Sequence, residues 1–485
     1  MYQNIYYDRK KAKVHIWDDE LGYYTLPYKR YAYVRDRAGT NISLYGDKLK
    51  KIYKFDADTP NLFESDVPPE TRVLVDQYKH SEDLSNNHRI MMIDIEVEVT
   101  EGFPEPSEAK NKITSIAIHD SKDDIYYAFA LDEKKRLTLE SHDNIVIKRF
   151  DNEFGLLQSF FEKYLQIKPT ILTGWNMDSF DMPYLYNRAC KVVGSNVADM
   201  LSPIQEVHWN KHRGRYLFAG VSCLDYLGLY KLFTYTQLSS YRLDAVAEFE
   251  LGENKIEYSG TLTDLYENDL NKYIEYNIHD VRLVKRMHDK LDFIDMARGV
   301  CHVGHVPYED VFFSSRYLEG AILVYLKNLD IVAPNKPARP NMNSDEKFIG
   351  AYVQPPQRGK HDWVFDLDIT SMYPSVIMSL NISPETKMGK LNGWNAEEFM
   401  KGTKKTYTLT SGEKEMGKLT ETELADFFEN NKVSVSSNGV MYRSDKKGLI
   451  PALLEKWFDT RVEYRKLMKK FGDAGDNEKY TYFKS

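Results

Sequence analysis

RIMMIDIEVEV, Arg89 to Val99, is the stretch on which the reading of this chain turns. Ile90 to Ile93 form an apolar run suited to a buried strand. Strand alternation then sets Asp94 and Glu96 two residues apart on one face, close enough to serve one site. Carboxylates at the end of a buried strand must be solvated, paired or metal-bound, because isolated buried charge is costly. Spacing alone permits a joint site, and it equally permits ordinary surface acids.

Beyond it, ITSIAIHD (113–120) and IYYAFAL (125–131) read as further strands, EFGLLQSFFEKYL (153–165) as a helix and TILTGWN (170–176) as another apolar run. This is the rhythm of an α/β domain. LNKYIEYNIHDVRLVKRMHDKLDFIDMA (270–297) places Ile274, Ile278, Val281, Val284, Met287, Leu291 and Ile294 at helical spacing with no internal Gly or Pro, which predicts one long helix closing that domain. Tyr276 and Asp280, four apart, share a face of it. Before residue 88, KVHIWDD and YAYVRD read as short strands of a β-rich domain that ends in the polar stretch KHSEDLSNNHR. EVHWNKHRGRYLFA (206–219) reads as two strands joined by a basic, glycine-containing turn. VAPNKPARPNMNSDEK (332–347), with three prolines, predicts an exposed connection into a unit beginning near GAYVQPP.

A second acidic stretch, VFDLDITSMYPSVIMSLNISPE (364–385), predicts an apolar strand with Asp366 and Asp368 on one face, followed by a turn containing Ser371, Met372 and Tyr373. Residues 443–470 carry nine Lys or Arg against four Asp or Glu, opposing the net charge of −8 of the whole chain. Arg461, Arg465 and Lys469 recur every four residues along one helical face there. With 485 residues, 42% of them hydrophobic and 28% charged, the composition is that of a soluble globular protein of about three or four domains. Cys190, Cys223 and Cys301 have no CxxC spacing, so neither a disulfide framework nor a zinc site is indicated, and a reducing cytosol is expected. The apolar stretches fall short of a membrane span, and no membrane association is expected.

The carboxylates suit phosphodiester hydrolysis with two divalent ions, since hard cations prefer carboxylate oxygens and a tyrosine can orient an attacking water. DIE at 94–96, GWNMDSFDMPYLYNR at 174–188 and YNIHD at 276–280 resemble, in order and context, the three exonuclease motifs of family B DNA polymerases. With EGFPEPSEAK (101–110), they are similar to the T-even-like bacteriophage type. The resemblance implies an RNase H-like domain in which Asp94, Glu96, Asp181 and Asp280 bind two Mg²⁺ (or Mn²⁺) ions of a 3′→5′ proofreading site and Tyr276 assists the water. It further implies that Phe103 stacks on a frayed primer end and that Asn176 lies in the same cleft. The hairpin would help part primer from template, with Lys211, Arg213 and Arg215 near phosphates; a solvated basic turn and a loop-packing Phe103 are the bland alternatives.

In the second stretch the resemblance selects Asp368 as the motif A aspartate binding both metals of a polymerase site. Ser371, Met372 and Tyr373 would contact the incoming deoxynucleotide, Tyr373 lying under its sugar, and Arg461 and Arg465 would face the triphosphate. Gly350 and Tyr352 resemble the motif linking nuclease and palm and touching the template; Val462 departs from a lysine frequent in close relatives. The implied architecture is a mixed α/β and α+β multidomain chain. It comprises an N-terminal domain (1–88 and 293–338), an exonuclease (89–292), a partial palm (339–447) and the start of the fingers (448–485).

The further family patterns KxxxNSxYG and DTD are absent from the sequence, so this polypeptide alone is expected not to extend DNA. A second polypeptide carrying the rest of palm, fingers and thumb is an expected partner, as are primer-template and single-stranded DNA, deoxynucleoside triphosphates and, through the other fragment, a sliding clamp. The cytoplasm of an infected bacterial host is the expected location. A free-standing 3′→5′ exonuclease is the rival enzyme reading. A non-catalytic nucleic-acid-binding regulator is the rival from another class.

Overall fold

The computed structural model describes the chain except residues 57, 82, 100–101, 103, 337–349, 404–405, 412–413, 477–479 and 481–485. It divides into two compact units, Met1–Val34 with Lys51–Ile331 and Arg35–Lys50 with Val332–Ser485. The first is mixed α/β with a β-rich beginning: strands Tyr2–Asp8, Lys13–Asp18 and Gly22–Pro27 form an antiparallel meander. Tyr2 ties this meander to a sequence-distant segment, its buried hydroxyl lying 2.9 Å from the Cys301 carbonyl and 2.7 Å from that of Val306.

The centre of the first unit is a six-stranded mixed sheet. Its order from one edge is Ile145–Phe150, Ile125–Leu131, Ile113–Asp120, Ile90–Val97, Ile171–Thr173 and Ser222–Cys223. Ile90–Val97 pairs antiparallel with Ile113–Asp120 and parallel with Ile171–Thr173, so its backbone groups are satisfied on both sides. Alternation divides the strand between two cores. Met91, Ile93, Ile95 and Val97 pack with Leu156, Phe160 and Tyr164 of helix Glu153–Ile167. Met92 points into the opposite core with Ile274, Ile278 and Val281 of helix Leu270–Leu291, and Asp94 and Glu96 follow it at the same parity. Across the ladder Asp94 lies opposite Ala117 and Glu96 opposite Ser115, small residues that leave room for carboxylates.

The expected single helix over 270–297 is two. Helix Leu270–Leu291 stops where Asp292 adopts φ 54° and its N–H caps the His288 carbonyl; a second helix, Phe293–Gly304, follows. The apolar period carries through the break, so the pattern hides it. Aspartate tolerates the left-handed conformation, and the turn sends Phe293 against the rings of Tyr226, Tyr230 and Phe233.

In the second unit, five antiparallel strands run in the order Lys414–Thr420, Thr406–Ser411, Lys387–Asn392, Val440–Arg443, Val433–Val435. Leu391, Tyr407, Leu424 and Met441 form its core, with Leu424 supplied by helix Glu421–Asn430. Helix Leu449–Asp473 packs against helix Met372–Leu380, whose first turn accommodates Pro374 because its N–H would be unpaired there anyway.

One expectation fails in this unit. VFDLDI is not a strand: residues 350–369 have no regular structure, and Phe365 and Leu367 are 81% and 84% exposed. A strand is held by ladder bonds to neighbours, and among the described residues none pairs with this segment. Most of the three-proline connection lies outside the described residues.

Candidate active site

The sheet and the helix Leu270–Leu291 bring together side chains separated by nearly two hundred positions. Oxygens of Asp94, Glu96 and Asp280 lie within 4.8 Å of one another. Asn277, on the same helix, fixes the strand to it: Nδ2 donates to Asp94 Oδ2 at 2.6 Å, while its Oδ1 accepts from Ser115 Oγ at 2.6 Å. Asp181, first residue of helix Asp181–Val192, accepts the Ile95 N–H through Oδ1 at 3.0 Å. It therefore stands against the strand that carries Asp94 and Glu96, although it is outside the three-residue cluster.

The loop 174–180 that delivers Asp181 is itself built. At Gly174 an added Cβ would meet the Ile93 carbonyl oxygen at 2.4 Å, so the loop passes the carboxylate strand only without a side chain there. Asn176 turns at φ 63°, and Asp225 accepts the N–H groups of Asn176 and Asp178, each at 3.1 Å. The same carboxylate caps helix Tyr226–Phe233.

The electrostatics are those of a crowded acidic site. Burial first, and then the charges of Asp181, Asp280 and Glu96, hold the Asp94 carboxyl well above its usual range. Burial and Asp280 push Glu96 up to about 8. Burial raises Asp181 to about 7 against the opposing Ile95 hydrogen bond. Asp280 is raised by burial although Lys255 opposes the shift, and its Oδ1 is buried without a hydrogen-bond partner. Like charges and an orphaned oxygen are what a divalent cation would neutralise and ligate, and the donors are the hard oxygens such ions prefer. Asp94, Glu96 and Asp280 thus fit a metal centre.

Lys255 was not legible in the sequence. It lies in a segment without regular structure, pairs with Asp280 and donates to the Tyr276 hydroxyl at 3.0 Å. Burial alone would lower its pKa, but Asp280, Tyr276 and Asp94 outweigh that and raise it. Tyr258 meets the Tyr276 ring edge-on at 5.4 Å. Asp225 was missed as well; its signal was that of a helix N-cap before YLGLYKLF, without reference to the loop it organises.

The other candidates fall in different surroundings. The basic turn is a hairpin, Val207–Asn210 paired with Arg215–Phe218. Lys211 is exposed at its tip, whereas Arg213 pairs with Asp310 and lies 4.9 Å over the Phe313 ring. Arg215 is buried against Asp178, so its guanidinium is turned to the protein. Asn176 is exposed, and Phe103 lies outside the described residues.

In the second unit Asp368, Gly350 and Tyr352 are exposed, and Asp368 joins no metal-sized group among the described residues. Ser371 precedes helix Met372–Leu380 at φ 51°, and Arg461 donates to its Oγ at 3.5 Å. That contact brings two segments 90 residues apart in sequence to one place. Met372 and Tyr373 are 45% and 65% exposed, and Arg465 is exposed on the same helix as Arg461.

Comparison with known proteins places these two regions in one class. The exonuclease domain of DNA polymerase family B matches residues 51–246, and the DNA polymerase family B domain matches residues 313–482. The chain belongs to DNA polymerase family B. It is 32% identical over 407 residues to a DNA-directed DNA polymerase of Escherichia phage RB69 and 30% identical to one of Enterobacteria phage T4, covering 78% of this chain in each case. A DNA polymerase 1 of Sulfurisphaera ohwakuensis is 27% identical over 376 residues. The chain spans 42% of the length of either phage relative. Asp94, Glu96 and Asp181 fall within the exonuclease match, while Lys255, Tyr276 and Asp280 lie between the two matches.

Proposed function

We propose that this chain is the N-terminal portion of a viral DNA-directed DNA polymerase and that its first unit is a 3′→5′ proofreading exonuclease. The observation that carries the reading is the convergence of Asp94, Glu96 and Asp280 oxygens within 4.8 Å, beside Tyr276 and Lys255. The mixed sheet flanked by helices supports an RNase H-like exonuclease over 89–292, with 1–88 and 293–338 as the N-terminal domain, 339–447 as palm and 448–485 as the beginning of the fingers. Asp94, Glu96, Asp181 and Asp280 would hold two Mg²⁺ or Mn²⁺ ions. Such ions supply charge neutralisation at the phosphodiester and its leaving oxygen.

The chain's own residues do the positioning. Asn277 fixes Asp94, the Ile95 N–H fixes Asp181, and Lys255 holds Asp280 and Tyr276 in one geometry. Because the Tyr276 oxygen accepts from Lys255, its own proton is free to hold a water beside the carboxylates. Asn176, Lys211 and Arg213 would line the approach of single-stranded DNA, Arg213 after exchange of its Asp310 partner.

In the second unit, Asp368 would bind metal, and Ser371, Met372, Tyr373, Arg461 and Arg465 would receive a deoxynucleoside triphosphate opposite primer-template DNA, with Gly350 and Tyr352 near the template. The Arg461–Ser371 contact supports this grouping. Polymerisation would draw on the part of the relatives' length that this sequence does not span, on a second polypeptide in the reading favoured by the sequence, and a sliding clamp would act through that part. The cytoplasm of an infected bacterial cell is the corresponding setting.

The test is a gel assay of the purified chain on a 3′-mismatched primer-template with Mg²⁺ and all four deoxynucleotides. Shortening of the primer is expected without extension. A primer left intact under these conditions refutes the exonuclease reading.

A further inference from the structure

The first unit contains a cleft of about 630 Å³ lined by Glu105, Asn176, Ser179, Phe180, Trp209 and Tyr216, among others. Trp209, on the hairpin, is 48% exposed. A lone exposed aromatic calls for no explanation; this one is mounted. Tyr216, directly across the ladder, meets it at 5.0 Å between ring centroids and 67° between planes. Tyr216 is in turn held by its hydroxyl on Asn187 Oδ1 at 2.7 Å and by the Tyr186 ring at 4.5 Å. The Asn187 amide is anchored on the Pro106 carbonyl at 2.9 Å. The indole is therefore oriented by a fixed neighbour while nearly half of it stays in water.

The lining also discriminates between ligands. Among the described residues no Lys or Arg lines the cleft and Glu105 does, which disfavours a phosphate and leaves a flat uncharged group as the better occupant. Asn176, Ser179 and Phe180 belong to the loop that runs directly into Asp181, so the cleft is continuous along the chain with the carboxylate site. We propose that this cleft is a nucleobase subsite and that Trp209 is its stacking platform, taking one unpaired base of a single strand whose end lies at the carboxylates. The inference rests on the exonuclease reading and adds a sequence-tolerant grip, because every base presents a π-face to the indole.

The test uses the full chain in EDTA and a 5′-fluorescein-labelled oligothymidylate, followed by anisotropy, with a series in which one base at a time is replaced by an abasic residue. Trp209→Ala is expected to weaken binding about tenfold and Trp209→Phe to retain most of it. One abasic position should weaken the wild-type chain by a similar factor, and Trp209→Ala should add nothing further on that oligonucleotide. Thermal unfolding checks that the variants fold, and the Phe variant compared with Trp209→Leu keeps the question answerable should Trp209→Ala fail to. Binding indifferent to residue 209, or losses that add at every abasic position, overturns the inference while leaving nuclease activity with Mg²⁺ intact. A chain that neither binds the oligonucleotide nor degrades it with Mg²⁺ removes the exonuclease reading and this inference together.

Discussion

RIMMIDIEV and WVFDLDI are written alike, an apolar run that ends in acids two residues apart, yet the fold handles them in opposite ways. The first is a central strand with partners on both sides, and its carboxylates face a helix that adds Asp280, Asn277 and Tyr276. The second has no ladder partner among the described residues, and Phe365 and Leu367 lie in solvent. An acidic strand motif thus becomes a site only when other segments satisfy its backbone and crowd its charges. Burial, and then its acidic neighbours, hold the Asp94 carboxyl far above its usual range, while Asp368 is exposed and joins no metal-sized group of three among the described residues.

This contrast should show most strongly in amide hydrogen exchange. Residues 91–96 should exchange through near-global opening, about four or more orders of magnitude slower than residues 364–369. Comparable protection in the two segments would erase the distinction. Next, Asp94→Ala should lower nuclease activity about a thousandfold, the scale of removing a group on which charge stabilisation depends, whereas Asp368→Ala should leave degradation of single-stranded DNA unchanged. A nuclease defect in the Asp368 variant would make the two acidic stretches parts of one site.

A smaller effect is expected at Lys255. Lys255→Met leaves Asp280 and Tyr276 without their shared donor, and activity should fall about 10- to 100-fold, the range seen when partners that orient ligands are lost. An unchanged pH–rate profile together with unchanged activity would show that the lysine only balances charge.

Smaller still is a stability effect with a definite sign. Glu96 and Asp181, raised to about 8 and about 7, bind more protons folded than unfolded between pH about 4 and their folded values. Metal-free stability contributed by them is therefore present at low pH and lost as pH rises toward 8. Mg²⁺, which needs the ionised carboxylates, should raise the melting temperature more at pH 8 than at pH 5, and by a few degrees. Calorimetry with and without EDTA measures this; an equal Mg²⁺ effect at both pH values would separate the ion from these carboxylates.

Much of the first unit could be read from the chain because its signals are local. Short runs of apolar and aromatic residues located the strands at 113–120 and 125–131, and helical periodicity located the core-facing side of helix Leu270–Leu291. The stop at Asp292 escaped because apolar spacing continues through it and the turn is set by packing of Phe293. Lys255 escaped for another reason: a lysine in an irregular segment has no periodicity to betray it, and its partners lie 21 and 25 residues away. The hairpin was legible, but the sequence presented Arg213 and Arg215 as outward cations, whereas Asp310 and Asp178 engage them.

The pairings of Asp94 with Glu96 and of Tyr276 with Asp280 could be known from the chain alone, because they follow from the repeat of a strand and of a helix. Which pairs meet is a property of the folded protein. Asp94 and Asp280 are joined by the helix laid across the sheet, and Asp368 joins no such group among the described residues because ladder partners and burial belong to the whole fold, which no local repeat encodes.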